Sequence, residues 1–106
     1  MQNREYYVYI LMNWNKTVIY IGITGDLDER LKQHRNRKIK GFTEKYHTDR
    51  LVYYEVFEYI YEAIEREKQV KGWSRGKKLK LIFNLNPKLE DLSAPLANAR
   101  FGRDDK

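Results

Sequence analysis

The sequence contains no cysteine. That excludes disulfides, thiolate metal sites and thiol nucleophiles, and it suits a reducing compartment. No apolar stretch approaches the ~18 residues that a membrane-spanning helix needs. The opening Met1 to Glu5 is polar, without the apolar core of a signal peptide. The cytoplasm is the expected address, and no membrane partner is expected. P-loop glycines, zinc-ligand spacing and the dinucleotide glycine fingerprint are also missing, as is any internal repeat.

What remains is a chain of 106 residues, 42% hydrophobic and 34% charged, which has room for one domain with a modest core. Aromatic residues make up 14% of it, with nine tyrosines, so tyrosine is the residue whose use needs explaining. Lys and Arg outnumber Asp and Glu by 21 to 15, a formal charge of +6. Such a balance favours a polyanionic partner, DNA or RNA, although solubility alone also accounts for it.

Tyr6 to Met12 and Thr17 to Ile23 are aromatic and aliphatic runs without a breaker, and Asn13 to Lys16 between them supplies turn chemistry. They predict a β-hairpin. With those four residues as the loop, Met12 faces Thr17 and Tyr9 faces Tyr20, about 5 Å apart at Cβ on one side of the sheet. A two-residue turn at Asn15 and Lys16 would place Tyr9 opposite Gly22 instead; the first register is the expected one. Asp26 caps a helix, with Glu29 completing a capping-box pattern and Leu27 and Leu31 forming an apolar stripe that ends near Arg37. Lys38 to Asp49 reads as a long basic loop, and Leu51 to Glu58 as a third strand. Ile60, Ala63, Ile64, Glu67, Val70 and Ser74 recur at helical spacing, which predicts an amphipathic helix reaching Ser74 and broken at Gly76. Lys77 to Phe83 suggests another short helix, and Asn86-Pro87 ends regular structure.

Phosphodiester hydrolysis needs a water nucleophile, a group that orients or deprotonates it, and positive charge on the oxygens that gain charge. Tyr9 and Tyr20 share a face of the predicted hairpin, and Gly22 just beyond lets a substrate backbone come close. A phenol, with a pKa of about 10, acts as a base near neutrality only where cations lower that value. The plainer reading makes both tyrosines core-packing residues with wet hydroxyls. Arg30 and His34, four residues apart, project from one face of the first helix. Arg30 can clamp a phosphate and His34 can bind phosphate or relay a proton, while a solvated charge and a packed histidine explain them as plainly.

Glu67 lies within the apolar stripe of its helix, between Ile64 and Val70. A carboxylate buried there without a partner is costly, so a cation is expected: a lysine, an arginine or a divalent metal. Lys71 at i+4 is the simple partner; one carboxylate with waters and substrate phosphate suits Mg²⁺, or Mn²⁺. Lys68, Lys71, Arg75, Lys77, Lys78 and Lys80 surround Trp73 in a basic run, either a nucleic-acid surface with a stacking ring or a solvated helix face. His47 gives no clear signal.

In order and spacing, Tyr7-Val8-Tyr9, Tyr20-Ile21-Gly22, Arg30 with His34, and Glu67 resemble the GIY-YIG nuclease signature. The first motif reads Tyr-Val-Tyr rather than Gly-Ile-Tyr, which leaves its tyrosine in place. Gly41-Phe42-Thr43, the run from Arg66 to Arg75, and Asn86-Pro87 resemble its small single-domain bacterial branch, related to the N-terminal nuclease domain of the excinuclease C subunit. The likeness runs from Tyr6 to Leu92. It implies an α+β fold, a small central three-stranded antiparallel sheet flanked by helices, over residues 1–92, with 93–106 as a disordered tail. It also implies single-metal hydrolysis of DNA. Carried onto this chain, Tyr9 activates or orients water with Tyr20 as its partner, Arg30 stabilises phosphate charge, His34 assists proton transfer and Glu67 binds the metal. The late asparagine of the family corresponds to Asn86 or Asn84, with Asn86 favoured because it precedes Pro87. Without a recognition domain, sequence specificity is expected to be low or borrowed from a protein partner, and flaps, branches or single strands are the expected targets.

Overall fold

The computed structural model describes residues 5–36, 48 and 50–93. Its elements run β1 (Tyr6–Met12), β2 (Ile19–Thr24), α1 (Leu27–Arg35), β3 (Arg50–Phe57), α2 (Ile60–Lys71) and α3 (Arg75–Leu85). The strands form one antiparallel sheet in the order β2-β1-β3, so the α+β fold expected from the sequence is the one observed. Most of the expected long basic loop, with Gly41-Phe42-Thr43 and His47, and the tail from residue 94 onward lie outside the described residues.

Strand β1 is central and covered on both faces, which is why its sequence shows an unbroken apolar run rather than alternation. Val8, Ile10 and Met12 point into a core with Ala63 and Val70 of α2 and Ile82 of α3. Tyr9 and Leu11 point the other way, against Leu27 and Leu31 of α1. The sheet thus separates α1 from α2 and α3, and anything that joins the two sides must pass round an edge.

The hairpin register differs from the expected one. Asn13 carbonyl oxygen accepts from Lys16 N at 2.9 Å, and Asn13 Oδ1 accepts from Thr17 N at 2.9 Å and Val18 N at 3.0 Å. These bonds hold Thr17 and Val18 out of the ladder, so β2 starts at Ile19 and Tyr9 pairs with Gly22, not Tyr20. Because the shift is by two residues, every side chain keeps its face, and Tyr9 and Tyr20 remain diagonal neighbours on the α1 side.

Asp26 caps α1 as expected, its Oδ1 accepting from Glu29 N at 3.1 Å. The second break was expected at Gly76 but falls at Gly72 to Ser74. Ser74 Oγ accepts from Lys77 N at 3.2 Å and starts α3. Gly76 therefore sits in a first turn, where backbone N–H groups are free in any helix. The buried line of α2 runs through Ala63 and Val70, while the stripe positions Ile60 and Ile64 stay exposed.

Arg66 lies on that same line and makes a bidentate pair with Glu55 of β3, Nε to Oε1 and Nη2 to Oε2 both at 2.9 Å, while Tyr53 donates to Oε2 at 2.5 Å. Burial works to raise the Glu55 pKa, but the bonds from Arg66 and Tyr53 outweigh it and the carboxyl sits below its ordinary value. Beyond α3 the chain returns to β3, where Leu92 N donates to Leu51 O at 2.7 Å and Leu51 N donates to Asp91 Oδ1 at 3.3 Å. That return covers the β3 edge. Among the described residues no strand pairs with the outer edge of β2.

Candidate active site and nucleic-acid surface

Five of the sequence-selected residues meet on the α1 side of the sheet. Tyr9 is fully buried, and its hydroxyl lies 3.0 Å from Nε2 of His34, itself only 2% exposed. Tyr20 completes an aromatic triad, its ring centroid 6.2 Å from that of Tyr9 and 5.3 Å from the imidazole of His34. Tyr20 and the Arg30 charge both act on the Tyr9 hydroxyl, Tyr20 opposing its ionisation and Arg30 favouring it. Gly22 belongs to the same cluster, for a reason other than the one expected. The space over it is filled by the Tyr9 ring, so that a Cβ there would stand 2.5 Å from Tyr9 Oη and 2.6 Å from Cζ.

The electrostatics follow from this burial. Loss of water, followed by the nearby Tyr20 hydroxyl, pushes the Tyr9 pKa well above that of a free phenol, and the opposing pull of Arg30 does not restore it. His34 is lowered to about 4, first by burial and then by the Arg30 charge. At neutral pH the pair is a protonated phenol and a neutral imidazole. His34 Nδ1 is buried without a partner, so among the described residues Tyr9 is the one side chain that fixes this ring through a hydrogen bond.

A stability effect follows, and its sign is fixed. His34 binds its proton less readily folded than unfolded, so between pH 6.5 and 4 the unfolded chain holds more protons and stability falls with pH. The full effect is about 3 kcal/mol. Urea midpoints measured at pH 7 and pH 4.5 are expected to show it, and His34→Phe is expected to flatten the slope in that window. Glu55, with an ordinary pKa of 4.5 that the fold depresses, loses its contribution only below that pH.

Glu67 and the basic residues stand on the other side of the sheet. Glu67 keeps 15% of its side chain exposed, and its Oε2 accepts from Lys71 Nζ at 2.7 Å, the simple i,i+4 partner. Lys71 and Lys78 line a cleft of about 260 Å³ with Ile19, Tyr20 and Ile21. This cleft lies along the outer edge of β2, where Tyr20 meets the cationic residues of α2 and α3. Among the described residues no group of three or more His, Cys, Asp or Glu could hold a metal. A lone carboxylate such as Glu67 is the kind of donor that an ion keeping most of its waters would accept, and the ammonium of Lys71, whose side chain is 54% exposed, holds that carboxylate from the solvent side.

The rest of the basic run is divided among different tasks. Trp73 has Lys77 Nζ 4.4 Å and the Arg66 guanidinium 5.2 Å from its ring centroid, so its faces are used within the chain. With Lys77, Lys80 and Asn84 it lines a shallow groove of about 170 Å³. Arg75 Nη2 donates to the Lys16 carbonyl at 3.0 Å and ties α3 to the hairpin turn, and Lys68 is exposed on α2.

Asn86 is the C-cap residue of α3. It is buried, its Nδ2 donates to Val52 O at 3.1 Å and Glu90 O at 2.8 Å, and its Oδ1 accepts from Glu90 N at 3.0 Å. Both amide protons are committed, which leaves none for a phosphate and makes Asn86 a clamp for the turn after α3. Asn86→Ala is expected to cost about 2–3 kcal/mol, measurable as a lower urea midpoint. Arg66 was not singled out from the sequence, although its place three residues after Ala63 and four before Val70 is the signal that would have found it.

Comparison with known proteins places the chain in a family. Residues 5–80 match the family model described as the GIY-YIG catalytic domain. A UPF0213 protein of Staphylococcus saprophyticus is 36% identical over 78 residues, 74% of this chain and 94% of that one. A UPF0213 protein of Clostridium perfringens is 38% identical over 85 residues, covering 80% and 90%. The solution structure of a UPF0213 protein from Bacillus halodurans superimposes with a TM-score of 0.54 at 34% identity, over 82% of this chain and 92% of that one. The match spans the strands that carry both tyrosines, the helix that carries Arg30 and His34, and the helix that carries Glu67, and the chain belongs to the GIY-YIG catalytic domain family.

Proposed function

We propose that the chain is a metal-dependent DNA endonuclease of low sequence specificity that acts on structural features, with residues 1–92 as its functional unit and a place in repair-type processing. The observation that carries this reading is the buried contact of Tyr9 Oη with His34 Nε2 at 3.0 Å, with the Arg30 charge and Tyr20 acting electrostatically on the same hydroxyl. Because Tyr9 is fully buried and Tyr20 opens on the β2-edge cleft, Tyr20 is the tyrosine that meets the attacking water. Tyr9 stands behind it as a relay. As water oxygen bonds to phosphorus and a P–O bond to the leaving oxygen breaks, the water proton passes to Tyr20, that of Tyr20 to Tyr9, and that of Tyr9 to His34 Nε2, while the leaving oxygen takes its proton from solvent water. An anionic phosphate at Arg30 offsets one of the two causes that depress the His34 pKa, so substrate itself readies the acceptor.

Glu67 would hold a single Mg²⁺ or Mn²⁺, which when bound supplies positive charge to the phosphoryl oxygens. Lys71 and Lys78 attract the strand along the cleft, and Lys68, Lys77 and Arg75 extend the positive surface. A partner protein would supply any specificity beyond strand geometry. The ion pair of Glu67 with Lys71 at 2.7 Å favours one second reading, a non-catalytic nucleic-acid-binding module in which lysine permanently occupies the carboxylate. Labelled single-stranded, duplex and branched DNA, incubated with Mg²⁺, Mn²⁺ or EDTA, separates the two. Cleavage that EDTA stops supports the nuclease; salt-sensitive binding without cleavage under any metal assigns the chain to the second reading.

A further inference from the structure

We propose that Trp14, at the tip of the hairpin, is a stacking platform for an unpaired nucleotide base; this rests on the nucleic-acid reading above and extends it to a second contact point. Trp14 is 65% exposed, the most exposed large hydrophobic side chain among the described residues. An indole left in water needs an explanation that the core does not give, since no described packing cluster includes it.

Its surroundings identify the ligand. The Arg50 guanidinium lies 4.2 Å from the indole centroid, and Arg50 Nη1 donates to the Leu89 carbonyl at 3.1 Å. One face of the ring is thus held against an anchored cation, and the remaining exposure belongs to the opposite face and the edge. Lys16 is two residues away in the same turn, and Arg75 reaches that turn through its bond to the Lys16 carbonyl. Cations grouped around an open aromatic face suit a phosphate-linked base rather than an apolar peptide.

The position is also right. Tyr20 pairs with Leu11, and the chain reaches Trp14 in the turn two residues after β1 ends at Met12. At about 3.3 Å per extended residue, the three steps from Leu11 put the tip no more than roughly 10 Å beyond the level of Tyr20, within the span of about three stacked nucleotides. Lys71 and Lys78 flank the β2 edge beside Tyr20, and Arg75 with Lys16 continues the positive charge at the turn. A strand that leaves the cleft and crosses the hairpin tip would place one base on Trp14, beside Arg50 of β3, while its phosphodiester meets Tyr20. Only an unpaired base can present a free face there, so the platform selects single-stranded or frayed DNA close to the cleavage point.

The test uses the Trp73→Phe chain, in which Trp14 is the sole tryptophan, with a short oligothymidylate and an abasic strand of equal length and charge. The oligothymidylate is expected to quench Trp14 emission and the abasic strand is not. In the otherwise native chain, Trp14→Ala is expected to weaken oligothymidylate binding roughly tenfold, to leave abasic-strand binding unchanged, and to be rescued by Trp14→Phe. Equal oligothymidylate affinity in Trp14→Ala, or an unresponsive Trp14 while the strand binds, overturns the platform and leaves the nuclease reading intact. If neither strand binds even at low salt, the nucleic-acid reading itself has failed and the platform falls with it.

Discussion

Gly22→Ala is expected to lower cleavage at least a hundredfold, although the added methyl touches no substrate. No left-handed backbone angle demands glycine at this position; space does. A Cβ would stand 2.5 Å from Tyr9 Oη, 2.6 Å from Tyr9 Cζ and 3.0 Å from Tyr20 Cε2. An exposed ring would swing aside, but Tyr9 is fully buried between the sheet and α1 with its hydroxyl on His34. The ring must therefore shift, taking the relay out of alignment, and misplacements of about 1 Å at reacting groups cost on the order of 10²-fold in rate. Overpacking of this kind also costs about 1–3 kcal/mol of stability. Single-turnover cleavage and urea unfolding, measured on the same preparation, check both effects. A wild-type rate in Gly22→Ala would show that the position of Tyr9 does not matter.

The second large effect separates the two tyrosines. Tyr20→Phe removes a hydroxyl at the cleft and is expected to lower the cleavage rate by about 10²–10⁴, the usual range for a proton-transfer group, with little change in stability. Tyr9→Phe is expected to lower the rate as well and to destabilise the fold by about 1–3 kcal/mol, because His34 Nε2 loses its partner while Nδ1 already has none. Since both act in one relay, the double variant is expected to be scarcely slower than the worse single one. Multiplicative losses would mean that the tyrosines act independently.

Much of this was legible in the sequence because it depends on local pattern. The Asp26 cap, the β-branched run of β3 and the placing of Arg30 and His34 on one helix are decided within a few residues and agree with the structure, although Thr24 Oγ1, not Glu29, takes the Asp26 N–H. Glu67 stood out because a carboxylate interrupts an apolar stripe, and it meets the lysine at i+4. The hairpin register was misplaced because it depends on the Asn13 side chain capturing two backbone N–H groups, a choice that residue type alone does not settle. The amide bonds of Asn86 are not legible in the sequence, because nothing there reveals that Val52 and Glu90 occupy its amide. Gly22 stands out in the sequence for lacking a side chain, and the group that fills the space over it is Tyr9, which only the three-dimensional pairing shows.

The most direct measurement is the single-turnover cleavage rate of branched DNA across a Mg²⁺ titration, for the wild type and Glu67→Gln. This substitution keeps the shape of the side chain and removes the charge that would hold the ion. The wild-type rate is expected to rise with Mg²⁺ to a plateau, with Glu67→Gln at least a hundredfold slower at every concentration and unchanged in DNA affinity. Cleavage by Glu67→Gln at the wild-type rate, or a wild-type rate indifferent to Mg²⁺, would contradict the assignment of this cleft as a metal-dependent nuclease site.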